Sequence, residues 1–343
     1  MDWFWKTIQE RFECKKRGRL GPEKEDEKSI RILNRIVTWT EEGIMYEGDQ
    51  RHVEIASNAL GFNERIRSVV APAERSKLEE GRGGILDKKE STKYRGLVAR
   101  LNYLGQDRSD IQFAVKELGS AMANPTTLDL MKVKRCIRYL LGAPRCIVPF
   151  RYQNEVSSIT AWSDSDFAGC VKSRKSTSGG VILFGECIIN SYSSIQAVRA
   201  LSSGEAEYYA FVKAACGSIG IRGLLGDLGV HCGEIVIKTD ASAAMGVAQR
   251  LGIRKIRHIE VNQLWLQDKV YDGEVRLVKV GTDENLADAL TKPVGAADIY
   301  KHSLGLGYEM REDRHPLAHK VDEKGDGGEE EDVGDEEDDR KDE

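Results

Sequence analysis

The 343-residue sequence lacks the features that mark membrane, secreted and disulfide-stabilised proteins. It contains no run of about 18 apolar residues, which a helix needs to cross a bilayer, so we predict no membrane contact. Charge follows the first residues in place of the apolar stretch of a signal peptide. Seven cysteines are scattered without a Cys-x-x-Cys pair, which argues against a zinc site or a disulfide framework. These absences predict an intracellular protein and do not distinguish cytoplasm from nucleus.

The chain has room for two domains and an uneven distribution of charge. A hydrophobic share of 40% supports globular cores. Residues 322–343 hold 14 acidic and 3 basic side chains, a net charge of −11, and because the whole chain carries −5, the remaining 321 residues carry +6. We therefore predict a mildly basic body and a disordered acidic tail over residues 306–343. The tail either solubilises the chain or competes with nucleic acid for the basic face.

The first part of the sequence predicts a hairpin and a helix. Residues 1–30 mix aromatic and charged side chains and predict weak order. Apolar runs at residues 30–39 and 44–46 flank a Glu-Glu-Gly turn, which is typical of two paired strands. Residues 49–60 have helical spacing and stop at a glycine. A charged, glycine-containing linker is predicted over residues 63–90.

Apolar residues then recur at helical spacing over residues 91–141 and predict three helices. The third helix is basic, and such a helix either tracks phosphates or is an ordinary solvated face. The sequence favours neither interpretation. Its basic side chains are Lys132, Lys134, Arg135 and Arg138.

From about residue 156 the pattern changes to short strands and helices in the order β-β-β-α-β-α-α-β-α, which predicts a mixed sheet with helices packed on it. Acidic residues stand at the ends of these elements. Asp164 ends the first strand, Asp240 ends the fourth, and Asp288 lies in the last predicted helix. Carboxylates gathered from separate elements repel one another unless cations hold them, so this distribution points to bound cations.

Two of the acidic positions have close competitors. Asp166 is two residues after Asp164, so both face the same side of a strand. Glu205 and Glu207 lie in the first turn of a helix that Ser203 would cap, where the helix dipole favours negative charge. They point about 200° apart, so only one can face a site. The predicted buried stripe of this helix is Tyr209, Val212, Cys216 and Ile219.

Five phrases of the sequence resemble the ribonuclease H domain of copia-type retrotransposon polyproteins. Each phrase is weak alone, but five in this order at domain-sized spacing are highly specific. They are Trp-Ser-Asp-Ser-Asp-Phe-Ala-Gly-Cys at residues 162–170, Arg-Lys-Ser-Thr-Ser-Gly-Gly at 174–180, Ser-Ser-Gly-Glu-Ala-Glu-Tyr-Tyr-Ala at 202–210, Thr-Asp at 239–240, and Asn-Leu-Ala-Asp-Ala-Leu-Thr-Lys-Pro at 285–293.

The resemblance covers roughly residues 30–300 and implies an α/β fold, a ribonuclease H-like mixed five-stranded sheet with flanking helices, preceded by a smaller α+β and helical connection region. It implies four regions, which are a polymerase C-terminal remnant at 1–90, a helical connection at 91–150, a ribonuclease H-like domain at 151–305, and the acidic tail at 306–343. The Tyr-x-Asp-Asp tetrad of polymerases is absent from the sequence. We therefore expect no polymerase activity from this chain, and a separate chain would have to supply a polymerase domain.

The same resemblance implies an endonuclease that uses two Mg²⁺ ions, or Mn²⁺ as a substitute, to hydrolyse the RNA strand of an RNA–DNA hybrid. The family motif favours Asp164 over Asp166 and Glu207 over Glu205. The implied catalytic and metal-binding residues are Asp164, Glu207, Asp240 and Asp288. The expected contacts to phosphates are Arg174, Lys175, Ser176, Thr177, Ser178, Arg254, Lys255 and Arg257.

Three functional hypotheses follow from the sequence. The first is an active ribonuclease H, since suitable residue types occupy all four carboxylate positions. The second is a catalytically silent retrotransposon remnant that binds nucleic acid, which the missing polymerase core and the acidic tail favour. The third is an interaction protein built on the helices of residues 91–141, for which the sequence offers no specific support.

Overall fold

The computed structural model describes residues 2–63, 65–74, 83–252, 259 and 263–321. Within them the chain forms two five-stranded sheets with flanking helices. The chain passes from the first sheet through the whole of the second and then returns to the first. In the part of the chain that the structure describes, none of the helices has the length and apolar character that a membrane span requires.

The first sheet has the strand order β1-β2-β3-β4-β10 with antiparallel neighbours. The predicted strand at residues 30–39 is in fact two strands, because Leu33 and Asn34 turn the chain with positive φ angles of 49° and 63°. Two such residues in succession form the tight turn that suits a hairpin. The strands are β1 (Ser29–Ile32), β2 (Arg35–Thr40), β3 (Gly43–Glu47), β4 (Arg145–Arg151) and β10 (Glu309–Arg311).

Helices α1 to α5 accompany this sheet. A helix at residues 2–9 corrects the expectation of weak order at the N-terminus. The helix predicted at 49–60 is present, as are the three predicted within 91–141, and the predicted linker lies partly outside the described residues. Tyr94, Leu101, Ile111 and Ile137 are fully buried between the helices. The bounds are α1 (Asp2–Gln9), α2 (Arg51–Ala59), α3 (Lys88–Leu104), α4 (Ser109–Ser120) and α5 (Thr127–Gly142).

The second sheet has the order β7-β6-β5-β8-β9. Its first three strands in the chain pair antiparallel, whereas β8 is parallel to both β5 and β9, so the sheet is mixed as predicted. The helices α6, α7 and α8 connect its strands. The bounds are β5 (Ser158–Ser165), β6 (Thr177–Phe184), β7 (Cys187–Ile195), α6 (Ser203–Asp227), β8 (Glu234–Thr239), α7 (Ser242–Ala248), α8 (Trp265–Tyr271) and β9 (Val275–Lys279).

The long helix α6 packs on β5 and β6 through a stripe that overlaps the predicted one, since Val212 is buried and Tyr209 and Ile219 pack against the same core. Tyr208 and Phe211 are fully buried, whereas Cys216 is exposed. The capping residue is Ser202 rather than Ser203, because the Ser202 hydroxyl accepts a hydrogen bond from the backbone N–H of Glu205 at 3.2 Å.

The C-terminal part of the described chain differs from the prediction in two ways. The predicted helix carrying Asp288 is a pair of short 3₁₀ turns, Thr282–Glu284 and Asp288–Leu290, followed by α9 (Ala296–Gly305). The predicted tail begins too early, because β10 pairs with β4 and Tyr308 is buried. Residues 322–343, the acidic run itself, lie outside the described residues.

The two sheets share one hydrophobic core. Val148 of β4 and Tyr308 before β10 pack with Val181 and Leu183 of β6 and with Ile188 of β7. Burial of these side chains ties the first sheet to the outer face of the second. This packing fixes the helical region next to the strands that carry the acidic residues.

Candidate active site

Asp164 lies near the end of β5, directly opposite Gly179 in the pairing with β6. Burial raises the pKa of Asp164 to about 6, with contributions from Asp288 and Asp240, although a hydrogen bond from the Thr291 hydroxyl opposes the shift. A Cβ atom at position 179 would lie 2.7 Å from the Thr291 side chain. Glycine is therefore what lets the second 3₁₀ turn pack over β6 beside Asp164.

Glu207 reaches the same place from the first turns of α6. Burial and, to a smaller extent, the charges of Asp164, Asp240 and Asp288 together raise the pKa of this carboxyl to about 9. Its Oε2 atom is buried and finds no hydrogen-bond partner among the described residues. A buried carboxylate oxygen without a donor is costly, so this atom is suited to receive a cation.

Asp240 follows directly after β8 and is held by the first 3₁₀ turn. The Thr282 hydroxyl donates to its Oδ2 at 2.8 Å, and the Asn285 amide lies 3.4 Å from its Oδ1. The same amide of Asn285 donates to the backbone carbonyl of Ser163 at 3.1 Å. Asn285 thus links the ends of β5 and β8 and keeps their carboxylates side by side.

Asp288 begins the second 3₁₀ turn and forms an ion pair with Lys292. The Lys292 ammonium lies 2.7 Å from Asp288 Oδ1. Partial burial opposes its charge, but the Asp288 carboxylate raises the pKa of Lys292 overall, with smaller contributions from Asp164 and Asp240. Lys292 therefore supplies positive charge to a cluster of four carboxylates.

The competing acidic residues have structural partners elsewhere. Asp166 accepts a hydrogen bond from the backbone N–H of Thr177 at the start of β6. Glu205 accepts from the backbone N–H of Leu201 and from the Tyr209 hydroxyl, both at 2.8 Å. The electrostatic coupling within the cluster involves Asp164 and Glu207, as the motif suggested, and their catalytic roles stay a prediction.

The expected phosphate contacts are wrong for three hydroxyl groups. Ser176, Thr177 and Ser178 are each no more than 2% exposed, and each bonds within the protein. The reason is that Thr177 and Ser178 begin β6, which has a neighbouring strand on each side, and Ser176 directly precedes it. Their donors are the Ala168 backbone N–H at 3.0 Å, the Lys116 ammonium at 2.9 Å and the Gln196 amide at 3.0 Å, respectively.

The basic residues of the same prediction have different outcomes. Arg174 is exposed and has a positive φ of 54°. The Lys175 ammonium donates to the Ala197 carbonyl at 2.5 Å and holds the loop to the end of β7. Arg254, Lys255 and Arg257 lie outside the described residues.

The donor chemistry of the four carboxylates fits divalent magnesium, which prefers hard oxygen ligands. The lone Oε2 atom of Glu207 and the raised pKa values of Asp164 and Glu207 indicate a cluster with too much negative charge for its surroundings. In the described chain, no three acidic, histidine or cysteine side chains come close enough to hold one ion together. Ion binding would therefore need side-chain adjustment.

Sequence reasoning missed the residues that hold the carboxylates. Asn285, Thr291 and Lys292 all contact the cluster, and Gly179 allows them to approach. A signal was present, because all four belong to the phrases that carry the resemblance. The polar side chains of Asn285, Thr291 and Lys292 stand close to acidic residues in the sequence, but no role was predicted for them.

The fold is ribonuclease H-like, a mixed five-stranded sheet with flanking helices beside an additional antiparallel sheet. The chain is similar to the crystal structure of LC11-RNase H1 in complex with RNA/DNA hybrid, with 16% identity and a TM-score of 0.27 over 39% of this chain and 93% of that one. No family model matches the sequence.

Curated relatives give the more particular assignment. The Retrovirus-related Pol polyprotein from transposon RE1 of Arabidopsis thaliana is 31% identical over 220 residues, which is 64% of this chain and 15% of the relative. The corresponding polyprotein from transposon TNT 1-94 of Nicotiana tabacum is 31% identical over 202 residues, 58% of this chain and 15% of the relative. The chain is similar in sequence to these retrovirus-related Pol polyproteins, and it spans about 15% of the length of the two relatives.

Proposed function

We propose that this chain is a retrotransposon-type ribonuclease H that hydrolyses the RNA strand of RNA–DNA hybrids. The observation that carries the proposal is the electrostatic coupling of four carboxylates from four separate elements, Asp164, Glu207, Asp240 and Asp288. Purely structural acidic residues are rarely gathered in this way, because their mutual repulsion costs stability. The homology to Pol polyproteins supports the same reaction class.

The four carboxylates would hold two magnesium ions. When bound, the ions supply an activated water and stabilise the leaving oxygen. The protein's own part is orientation, since Thr291 and Lys292 hold Asp164 and Asp288 at fixed positions. Glu207 keeps its proton at neutral pH in this arrangement and releases it as positive charge enters the site, so cation binding and proton release are coupled.

One observation favours a second candidate, a nucleic-acid-binding module without catalysis. Lys292 already neutralises part of the cluster through its ion pair with Asp288. A lysine that holds this carboxylate firmly would compete with an ion for the same oxygen. The two candidates differ in whether cleavage occurs at all, so cleavage decides between them.

The test is cleavage of a hybrid with a labelled RNA strand by the full 343-residue chain, with Mg²⁺, with Mn²⁺ and with a chelator. We expect metal-dependent cutting of the RNA strand only. Asp164→Asn should abolish it, whereas the matched variant Asp166→Asn should retain most of it. A folded chain that binds hybrid and cuts with neither ion would refute the nuclease and favour the binding module.

A further inference from the structure

A groove of about 1530 Å³ separates the helical region from the candidate active site. Side chains of α4 and α5 line one side, and the loop after β5 and the residues that follow the second 3₁₀ turn line the other. Thr291 and Lys292 belong to this second side, and they are also the donors to Asp164 and Asp288. The groove therefore leads directly to the carboxylate cluster.

The walls of the groove are basic. Seven basic side chains line it against three acidic ones, Glu74, Glu117 and Asp166. Arg135 pairs with Glu74 at 2.8 Å, whereas Arg65, Arg67 and Lys134 are exposed. An excess of positive charge along a groove attracts a polyanion and holds its phosphates. The basic residues are Arg65, Arg67, Lys132, Lys134, Arg135 and Arg138, with Lys292 at the active-site end.

The floor of the groove is apolar and partly open to solvent. Met131 and Val171 are each 58% exposed, and Ile66 is 37% exposed. Phe62 and Phe113 also line the groove, and both are half-buried. A nucleic-acid duplex presents phosphates to a protein but hides the faces of its bases. An unpaired strand presents both, so a basic rim over an apolar floor matches a single strand.

We propose that this groove binds a single strand of nucleic acid next to the candidate active site. The basic rim holds the phosphates, and the apolar floor contacts the faces of unpaired bases. The volume exceeds the roughly 300–1,000 Å³ of small-molecule pockets, as a polymer site requires. The proposal concerns binding alone and holds whether or not the carboxylates cleave.

The test is fluorescence anisotropy of a labelled oligo(dT) and oligo(U) with the full chain in chelator, over a range of salt concentrations. The double variant Arg65→Glu and Lys134→Glu changes two exposed rim residues. Its matched control is Lys89→Glu and Lys93→Glu, which makes the same charge change at exposed positions of α3. Met131→Ser removes an apolar floor residue, and Leu224→Ser is its control because Leu224 is also 58% exposed.

We expect the rim variant to weaken single-strand binding more than tenfold and to reduce the salt slope by about 1.4, which is two lost phosphate contacts. The control variants should weaken binding less than threefold, and Met131→Ser more than threefold. Equal losses in the rim variant and its control would overturn the proposal. The proposal would also be overturned if the chain bound a blunt RNA–DNA hybrid more tightly than either single strand and Met131→Ser had no effect on binding. A peptide of residues 322–343 that binds the groove when the oligonucleotides do not would instead assign the groove to the acidic run.

Discussion

Replacing Glu207 with glutamine should make the protein more stable to unfolding at alkaline pH in the presence of a chelator. The same substitution should abolish cleavage when Mg²⁺ is present. The carboxyl group is buried beside three other carboxylates, and its pKa is raised to about 9 from its ordinary value of 4.5. A raised pKa means that the folded state binds the proton more tightly than the unfolded state does. The resulting stability is fully present below pH 4.5 and is lost as the pH rises toward 9. Glutamine cannot ionise, so the variant avoids this loss.

The magnitude follows from the shift. Each pKa unit is worth about 1.36 kcal/mol. At pH 8 the unfolded chain has released this proton while the folded state still holds it, so the stability cost has an upper limit of about 5 kcal/mol. Water that follows the charge into the site reduces this cost, and we expect the variant to be about 1–3 kcal/mol more stable than wild type at pH 8. At pH 5 the two proteins should be nearly equal, because this pH lies close to the ordinary pKa of 4.5 and little of the stability has yet been lost.

The assay is urea denaturation of the full chain in chelator at pH 5 and pH 8. Glu205→Gln is the matched control. Glu205 accepts hydrogen bonds from the Leu201 backbone N–H and the Tyr209 hydroxyl, so this variant should be less stable than wild type at both pH values. Addition of Mg²⁺ at pH 8 should stabilise the wild type and not Glu207→Gln. A Glu207→Gln variant that is less stable than wild type at pH 8 would refute the electrostatic reasoning.

Two further predictions concern the ion pairs near the site. Asp110→Ala should lower the free energy of unfolding by about 3–5 kcal/mol, because it leaves the buried Arg108 without the carboxylate 2.7 Å from its Nη2 and Tyr139 without an acceptor. Urea denaturation measures this, and a loss below about 1 kcal/mol would contradict it. Lys292→Met should tighten Mg²⁺ binding about two- to fivefold in titration calorimetry, since the ion pair with Asp288 is worth about 0.3–1 kcal/mol. Weaker binding would show that Lys292 positions Asp288 for the ion.

The sequence predicted the second sheet and most helices because their apolar residues have clear periods. It missed the break between β1 and β2, since Leu33 is an unusual residue for a positive φ angle. It also missed β10, a strand of only three residues whose partner lies more than 150 positions earlier. Such a short segment has no period of its own, so its structure comes from tertiary pairing.

The residues of the candidate site were also predicted only in part from the sequence. Local motifs identified Asp164 and Glu207, and the structure places both in one electrostatically coupled cluster. Lys292 was not predicted as a partner of Asp288, although the two residues stand four positions apart in the sequence, which is a common spacing of local ion pairs. The Ser176 hydroxyl lies in a polar stretch of the sequence and was predicted to contact phosphate. It is instead buried by the neighbouring loop, where the Ala168 backbone N–H donates to it, and no local sequence pattern predicts this contact.

The pairing of β4 with β10 has a consequence for the architecture of the whole chain. Met310 stands opposite Cys146, and Glu309 stands opposite Ile147, as in the two arms of an ordinary hairpin. The entire nuclease-like sheet is therefore a cassette inserted at the tip of that hairpin. A short turn joining the arms would close the first sheet without it. The entry and exit points of this insertion are adjacent, so cutting the chain on only one side of it would separate the two arms.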